Sequence, residues 1–269
     1  MSEKIKKSML YVGVLAGGYL LICLFMFFLQ EKFIFFPEKL PVNHTFSFRS
    51  DIQWEEIWIE NEGVRINSLL FKADSSKGVI LYFHGNAGSL QGWGYVAQDF
   101  TQLGWDVLIL DYRGFGKSEG RPTYQALLDD GQKAYNYLLQ YYQPSRINIY
   151  GRSVGSGIAA YVAAQNHPKG LILETPYTSM IRLSQHHYRW LPVKWLHKYP
   201  FSVSANLPAI DCPVSIIHGT LDRVIPVSHS RELFEKYPQK VTRYEEIQGG
   251  THNDLSQYEP FRKFLLDVL

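Results

Sequence analysis

The chain reads as an α/β protein built on a mostly parallel, eight-stranded sheet with helices on both faces, a short cap insertion and an N-terminal transmembrane helix. Three observations predict this. From Trp54 onward, short runs rich in β-branched and aromatic residues alternate with segments of helical period, the pattern of a parallel sheet wrapped by crossover helices. Residues 175–210 break that rhythm with prolines and tryptophans. Residues 8–30 carry no charge, and about 20 apolar residues suffice for a helix to cross a bilayer.

The elements follow in order. The run SMLYVGVLAGGYLLICLFMFFLQ is longer than the apolar core of a secretory signal peptide, and the QEKFIFF after it offers no small-residue cleavage site, so it is expected to stay attached as an anchor. Residues 1–30 are therefore assigned to a cytoplasmic stub and membrane helix. Lys4, Lys6 and Lys7 precede the span, while Lys32 and Lys39 follow it beside Glu31 and Glu38. The positive-inside rule then leaves the N-terminus cytoplasmic and the body outside the cytoplasm. Cys23 reads as a lipid-facing thiol. Gly13 and Gly17 have the G-x-x-x-G spacing that lets membrane helices approach closely, which makes a weak homodimer through this helix a candidate interaction. The aromatic, Pro-punctuated residues 31–53 are expected to form a juxtamembrane linker.

The globular body is assigned to residues 54–269. Its strands are predicted near 56–59, 65–71, 79–83, 107–111, 147–150, 171–173, 214–217 and 243–246. Trp93, Val96, Ala97, Phe100 and Leu103 mark one helical face, and Pro122 is expected to open another helix carrying Leu127, Ala134, Leu138 and Tyr141.

Composition narrows the function. With 269 residues, 46% hydrophobic and 19% charged, the body is long enough for one large core. A formal charge of +2 with no basic, aromatic-interleaved stripe excludes nucleic-acid binding. Two cysteines, one of them in the span, leave the redox compartment open. No Cys/His cluster or H-E-x-x-H run occurs, so neither a metal nor another cofactor is expected.

The stretch NIYGRSVGSGIAA surrounds Ser153 with Gly151 and Gly155 where an apolar strand meets a helix of small residues. A serine at so sharp a turn is held in a strained backbone conformation, and its neighbours must lack side chains for strand and helix to come that close. The following helix N-terminus would aim the Val154 N–H at an oxyanion formed there. A serine hydroxyl is a weak nucleophile near neutral pH and needs a base, which in turn needs an orienting carboxylate. Asp222, in SIIHGTLDRVIP, follows a buried strand, and His252, in QGGTHNDL, falls in the loop after the last strand. The order Ser, Asp, His is the one such sheets use. Glu174 is the second candidate acid, His84 and His218 read as structural, and Asp254 as a loop-fixing group. The other oxyanion donor is expected from LYFHGNAGS, as the backbone N–H of Asn86.

The stretches YFHGNAGS, DYRGFGKSEG, YGRSVGSG, ETPYTS, HGTLDRVIP and GGTHND, between about Val79 and Leu255, resemble the α/β-hydrolase fold serine hydrolases, in particular the membrane-anchored Bem46-like subgroup. The resemblance implies the α/β-hydrolase fold, Ser153, Asp222 and His252 as catalytic triad, and Asn86 and Val154 as oxyanion hole; residues 111–118 would be a structural turn beside the site.

The function expected is hydrolysis of carboxylic esters or thioesters of small acyl or lipid-like substrates through an acyl-enzyme. The dehalogenases and epoxide hydrolases of this fold use a carboxylate where this chain has Ser153. A serine peptidase or amidase stays open, as does a tethered binding protein with an unused triad. The cap carries Arg182, Arg189, Lys194 and Lys198 with Trp190 and Trp195, and no Asp or Glu. Such a face is suited either to solvent or to anionic lipid headgroups.

Overall fold

The computed structural model describes residues 2–49 and 52–269; Met1, Ser50 and Asp51, which fall in the anchor and linker segments, lie outside them. The first element is a single helix, α1 (Glu3–Ile34). It continues four residues past the expected boundary at residue 30 because nothing in Glu31–Ile34 opposes a helix. It ends at Phe35, which takes an extended conformation, ahead of Phe36 and Pro37, and the residue before a proline is disfavoured in a helix. Among the described residues α1 is the one helix long and apolar enough to cross a membrane. Its N-terminal half exposes Leu10, Val12, Val14 and Leu15. Its C-terminal half packs on the protein.

The strand β1 (Phe36–Pro37) follows at once. The antiparallel pair β2 (Gln53–Asn61) and β3 (Val64–Lys72) precedes β4 (Val79–Phe83) and the two-residue β5 (Ala87–Gly88). Next come α2 (Leu90–Trp93), α3 (Ala97–Thr101) and β6 (Asp106–Leu110). A 3-10 turn at Gly94–Val96 joins α2 to α3, and the expected face is present: Ala97 and Phe100 are buried, with Trp93, Val96 and Leu103 packed against the same cluster. A Cβ at Gly94 would run into the Phe48 ring, so the chain stays pressed against that aromatic cluster. Then α4 (Tyr124–Leu138) starts two residues after Pro122, because Thr123 caps it by accepting the Ala126 N–H at 3.3 Å.

The second half runs β7 (Ile147–Arg152), α5 (Gly155–Gln165), β8 (Gly170–Glu174). The expected insertion folds as a helical cap, α6 (Met180–His187), α7 (Val193–Leu196) and α8 (Val203–Asn206). The chain closes with β9 (Val214–Gly219), α9 (Ser228–Lys236), β10 (Val241–Ile247) and α10 (Glu259–Val268).

Eight strands form one sheet in the order β10-β9-β8-β7-β4-β6-β3-β2, parallel throughout except that β3 runs against β2 and β6. All eight predicted strands are present. The inner strands β4, β6, β8 and β9 are buried along their whole length, as expected when helices cover both faces. The chain passes from β4 to β6 on one side and later to β7 on the other, so strand order reverses at β4. Crevices for ligands open at the carboxyl ends beside such a reversal, and the loops after β4 and β7 meet there.

Cys23, expected to face lipid, is 6% exposed and packs with Leu191 and Val193 of the cap. The cap approaches α1 along its C-terminal half and covers this thiol.

Candidate active site

Ser153 stands between β7 and α5 with φ at 54°, in the left-handed region that costs a non-glycine residue about 1–3 kcal/mol. The surrounding glycines explain how the turn is made. A Cβ on Gly151 would lie 2.5 Å from the Ala159 Cβ, and one on Gly155 would drive into the carbonyl oxygen of Phe83. Strand β4 and helix α5 therefore touch through backbone. The Ser153 N–H donates to the Glu174 carbonyl at 3.0 Å and its own carbonyl accepts the Ser156 hydroxyl at 2.6 Å, so the strained turn is held from two sides.

The loops after β9 and β10 bring Asp222 and His252 to this serine. His252 Nδ1 lies 2.7 Å from Asp222 Oδ2, and its Nε2 lies 3.0 Å from Ser153 Oγ. With the proton on Nδ1 donated to the carboxylate, the Nε2 lone pair is left to accept the serine hydroxyl. Asp222 Oδ1 accepts the N–H groups of Val224 at 2.8 Å and Ile225 at 2.9 Å. Burial opposes ionisation of Asp222, but hydrogen bonds from His218, His252 and Ile225 outweigh it and hold the carboxyl well below the usual carboxylate range.

His218, read as structural from the sequence, proves to touch the site. Its Nε2 is 2.8 Å from the Ile225 carbonyl and 3.2 Å from Asp222 Oδ2, while Nδ1 is 2.6 Å from the Ser230 hydroxyl. A proton on Nε2 serves both oxygens, with Nδ1 accepting from Ser230. Glu174, the second candidate acid, is turned elsewhere: it accepts the Tyr150 hydroxyl at 2.7 Å and pairs with Arg152 at 3.2 Å. Arg152 in turn donates to the His252 carbonyl at 3.2 Å and the Asn253 side chain at 3.1 Å. Asp254 fixes the histidine loop by accepting the Thr251 N–H at 2.7 Å. Asp111 sits against His84, both fully buried, and Ser118 bonds its carbonyl at 2.8 Å, so this turn braces the loop after β4.

Asn86 and Val154 line the same cavity as Ser153. Among the described residues, neither backbone N–H has a protein acceptor. The Asn86 loop is held from α1's exit: its side-chain amide donates to the Ile34 carbonyl at 2.8 Å, and its carbonyl accepts the Phe36 N–H at 2.8 Å. Strand β1 then pairs in parallel with β5.

The cavity measures about 480 Å³, within the ~300–1,000 Å³ usual for small-molecule sites. Its walls are mostly apolar, with Met180, Leu183, Leu191 and Val193 from the cap, and among the described residues its lining includes no Asp or Glu. Met26, Gln30, Phe33 and Ile34 of α1 complete it. Sequence reasoning missed these four residues. A signal was present in Gln30, a polar side chain closing an otherwise apolar run.

A sequence profile of the alpha/beta hydrolase fold matches residues 78–207. Protein Rv2307c of Mycobacterium tuberculosis is 30% identical over 248 residues, covering 90% of this chain and 86% of its own length. The lysophosphatidylserine lipase ABHD12 of Danio rerio is 30% identical over 230 residues, which cover 74% of this chain and 60% of that protein. Among solved structures, the Pyrococcus furiosus esterase Pf2001 superposes with a TM-score of 0.68 at 19% identity, covering 88% of this chain and 97% of that one. Est1E from Butyrivibrio proteoclasticus, solved with ferulic acid, gives 0.65 at 20% identity over 79% and 98% of the two chains. At these identities the structural likeness speaks to the fold alone.

Proposed function

Since the chain belongs to the α/β-hydrolase fold family, we propose that it is a membrane-anchored serine hydrolase cleaving carboxylic ester or thioester bonds of lipid-like acyl substrates. That it is a hydrolase follows from the family and its lipase relatives. The observation that carries the finer reading is the imidazole of His252, bonded through Nδ1 to Asp222 and through Nε2 to Ser153 at one end of an apolar cavity.

In this reading Ser153 Oγ attacks the acyl carbonyl carbon as its proton passes to His252 Nε2. Negative charge collects on the carbonyl oxygen, and the Asn86 and Val154 N–H groups donate hydrogen bonds to the resulting oxyanion. One such donor is worth about 2.7–4 kcal/mol of barrier. Collapse of the intermediate breaks the bond to the alcohol or thiol, which leaves with the proton from His252. Water then attacks the acyl-serine, giving one proton to His252 and thence to Ser153 Oγ, and the acid departs. Asp222 stays ionised and stabilises the imidazolium each time.

The lipid-like substrate is supported by the apolar lining and by the likeness to the lysophosphatidylserine lipase ABHD12. Absence of an acidic group in that lining disfavours an aminopeptidase, which would need an anchor for the substrate amine. The anchor comprises α1, with the basic N-terminus in the cytoplasm and the catalytic body, from about residue 54 onward, on the other side. Exposed Trp190 and Trp195, with Arg189 and Lys194 also exposed, suit the cap to an anionic lipid surface. The experiment is to treat membranes carrying the full chain with a fluorophosphonate probe and to assay p-nitrophenyl esters. Labelling and turnover are expected in the wild type and absent from Ser153→Ala. Labelling that persists in that variant would sink the reading.

A further inference from the structure

A polar side chain near the end of a membrane-length helix needs a reason, since an unsatisfied amide there is costly. Gln30 has one. Its Nε2 donates to the Leu196 carbonyl at 2.9 Å and the Phe27 carbonyl at 3.0 Å, while its Oε1 accepts the Lys198 N–H at 2.8 Å. Both ends of the amide are spent on joining α1 to the cap. Higher up the helix, the Tyr19 hydroxyl donates to the Trp190 carbonyl at 2.8 Å, and the Lys198 ammonium lies over the Phe27 ring at 4.1 Å.

These contacts fix one face of α1. Cys23, Met26, Gln30, Phe33 and Ile34 fall at helical spacing on that face, with Cys23 packed under the cap and the other four lining the cavity that holds Ser153. From Met26 to Ile34 the helix rises about 12 Å, and this length of apolar wall faces Met180, Leu183 and Leu191. The opposite face, with Leu21, Leu24 and Phe28, is exposed. Tyr19 to Gln30, the docked stretch, spans about 16 Å, half of a ~30 Å hydrocarbon core. The cavity wall, Met26 to Ile34, begins within that stretch and continues past it, so with α1 inserted the cavity would open beside the leaflet that the helix enters.

We propose that α1 is not only a tether but one wall of the acyl-binding site: the substrate's acyl chain lies along the Met26–Gln30–Phe33–Ile34 face, opposite the cap, and this face sets acyl-chain selectivity. The proposal deepens the hydrolase reading and rests on it for its kinetic arm. An acyl chain leaving the bilayer in this way exchanges hydrocarbon for the apolar wall of α1 without crossing water, so the helix supplies the path as well as the wall.

Two measurements on the full chain in lipid vesicles test it. In the first, Met26→Trp and Ile34→Trp are compared with Leu24→Trp for hydrolysis of butyryl and palmitoyl p-nitrophenyl esters. Filling the groove should lower the palmitoyl-to-butyryl ratio of kcat/KM by at least about tenfold in the first two variants and leave it unchanged in the third. Equal ratios in all three overturn the proposal. In the second, Ser153→Ala protein is photolabelled with palmitate bearing a terminal diazirine, which needs no turnover. Labelling of Met26, Phe33 or Ile34 that unlabelled palmitate competes away supports the wall. Labelling confined to Leu21, Leu24 and Phe28, or none that competes, overturns it. Should the wild type hydrolyse neither ester, the hydrolase reading fails and the labelling alone judges the wall; should Met26→Trp misfold, Ile34→Trp and the labelling decide.

Discussion

Arg152 stands directly before Ser153, and through it the histidine loop is tied to the sheet. Its guanidinium lies over the Trp93 ring at 5.2 Å and pairs with Glu174, while its remaining donors hold the His252 carbonyl and Asn253. A lysine keeps the charge but cannot reach both sides at once. Arg152→Lys is therefore expected to lower kcat about tenfold through misplacement of the imidazole, with KM little changed; steady-state kinetics on a short-chain ester check this, and an unaltered kcat would show that the loop holds itself. The side chains of Ser153, Asp222 and His252 were legible in the sequence because each announces itself locally: a serine between glycines, and an aspartate and a histidine in loops directly after apolar strands. What could not be read was which partners hold them. Arg152 on the His252 loop joins segments from separate strands, and although His218 lies only four residues before Asp222, nothing in its immediate neighbours records that its ring turns toward the carboxylate.

At the scale of elements, the cap is held by two imidazoles acting as acceptors. His197 Nδ1 accepts the Tyr199 N–H at 3.0 Å, and His229 Nδ1 accepts the Thr178 N–H at 3.3 Å. Burial pushes His197 down to about 4, and burial together with the nearby Arg182 charge does the same to His229. In the unfolded chain both would titrate near ~6.5, so between these values the unfolded state binds protons the folded state refuses. Their contribution is complete above about pH 6.5 and is lost as pH falls toward about 4. Thermal unfolding followed across that interval should show the midpoint dropping with acid, and more shallowly in a His197→Gln, His229→Gln double variant; parallel profiles would refute the assignment. The sequence revealed the strands well, since alternation and β-branching act over a few residues. It misjudged the ends of helices, where one contact decides. Thr123 rather than Pro122 starts α4, and Pro37 rather than the first charge ends the run from α1.

For the whole molecule, the main surprise is that α1, the candidate membrane anchor, and the body are not separable parts. Residues more than 160 positions apart meet where α1 docks on the cap, and no local pattern could have foretold that Cys23 is covered by protein rather than by lipid. The short parallel pairing of β1 with β5 carries this union to its end. Only Phe35 separates the last helical residue, whose carbonyl accepts the Asn86 side chain, from the Phe36 N–H bonded to the Asn86 carbonyl. A helix in a bilayer of mismatched thickness responds by tilting, and with α1 in the membrane a tilt would have no slack linker in which to dissipate before it reached Asn86, the proposed oxyanion donor. Turnover is thus expected to vary severalfold between vesicles of short- and long-chain phosphatidylcholine, at equal surface charge and with a water-soluble ester; identical rates would mean the loop is insulated. The anchor's inclination would then act as a lever on the chemistry, making catalytic rate a readout of the membrane's own dimensions.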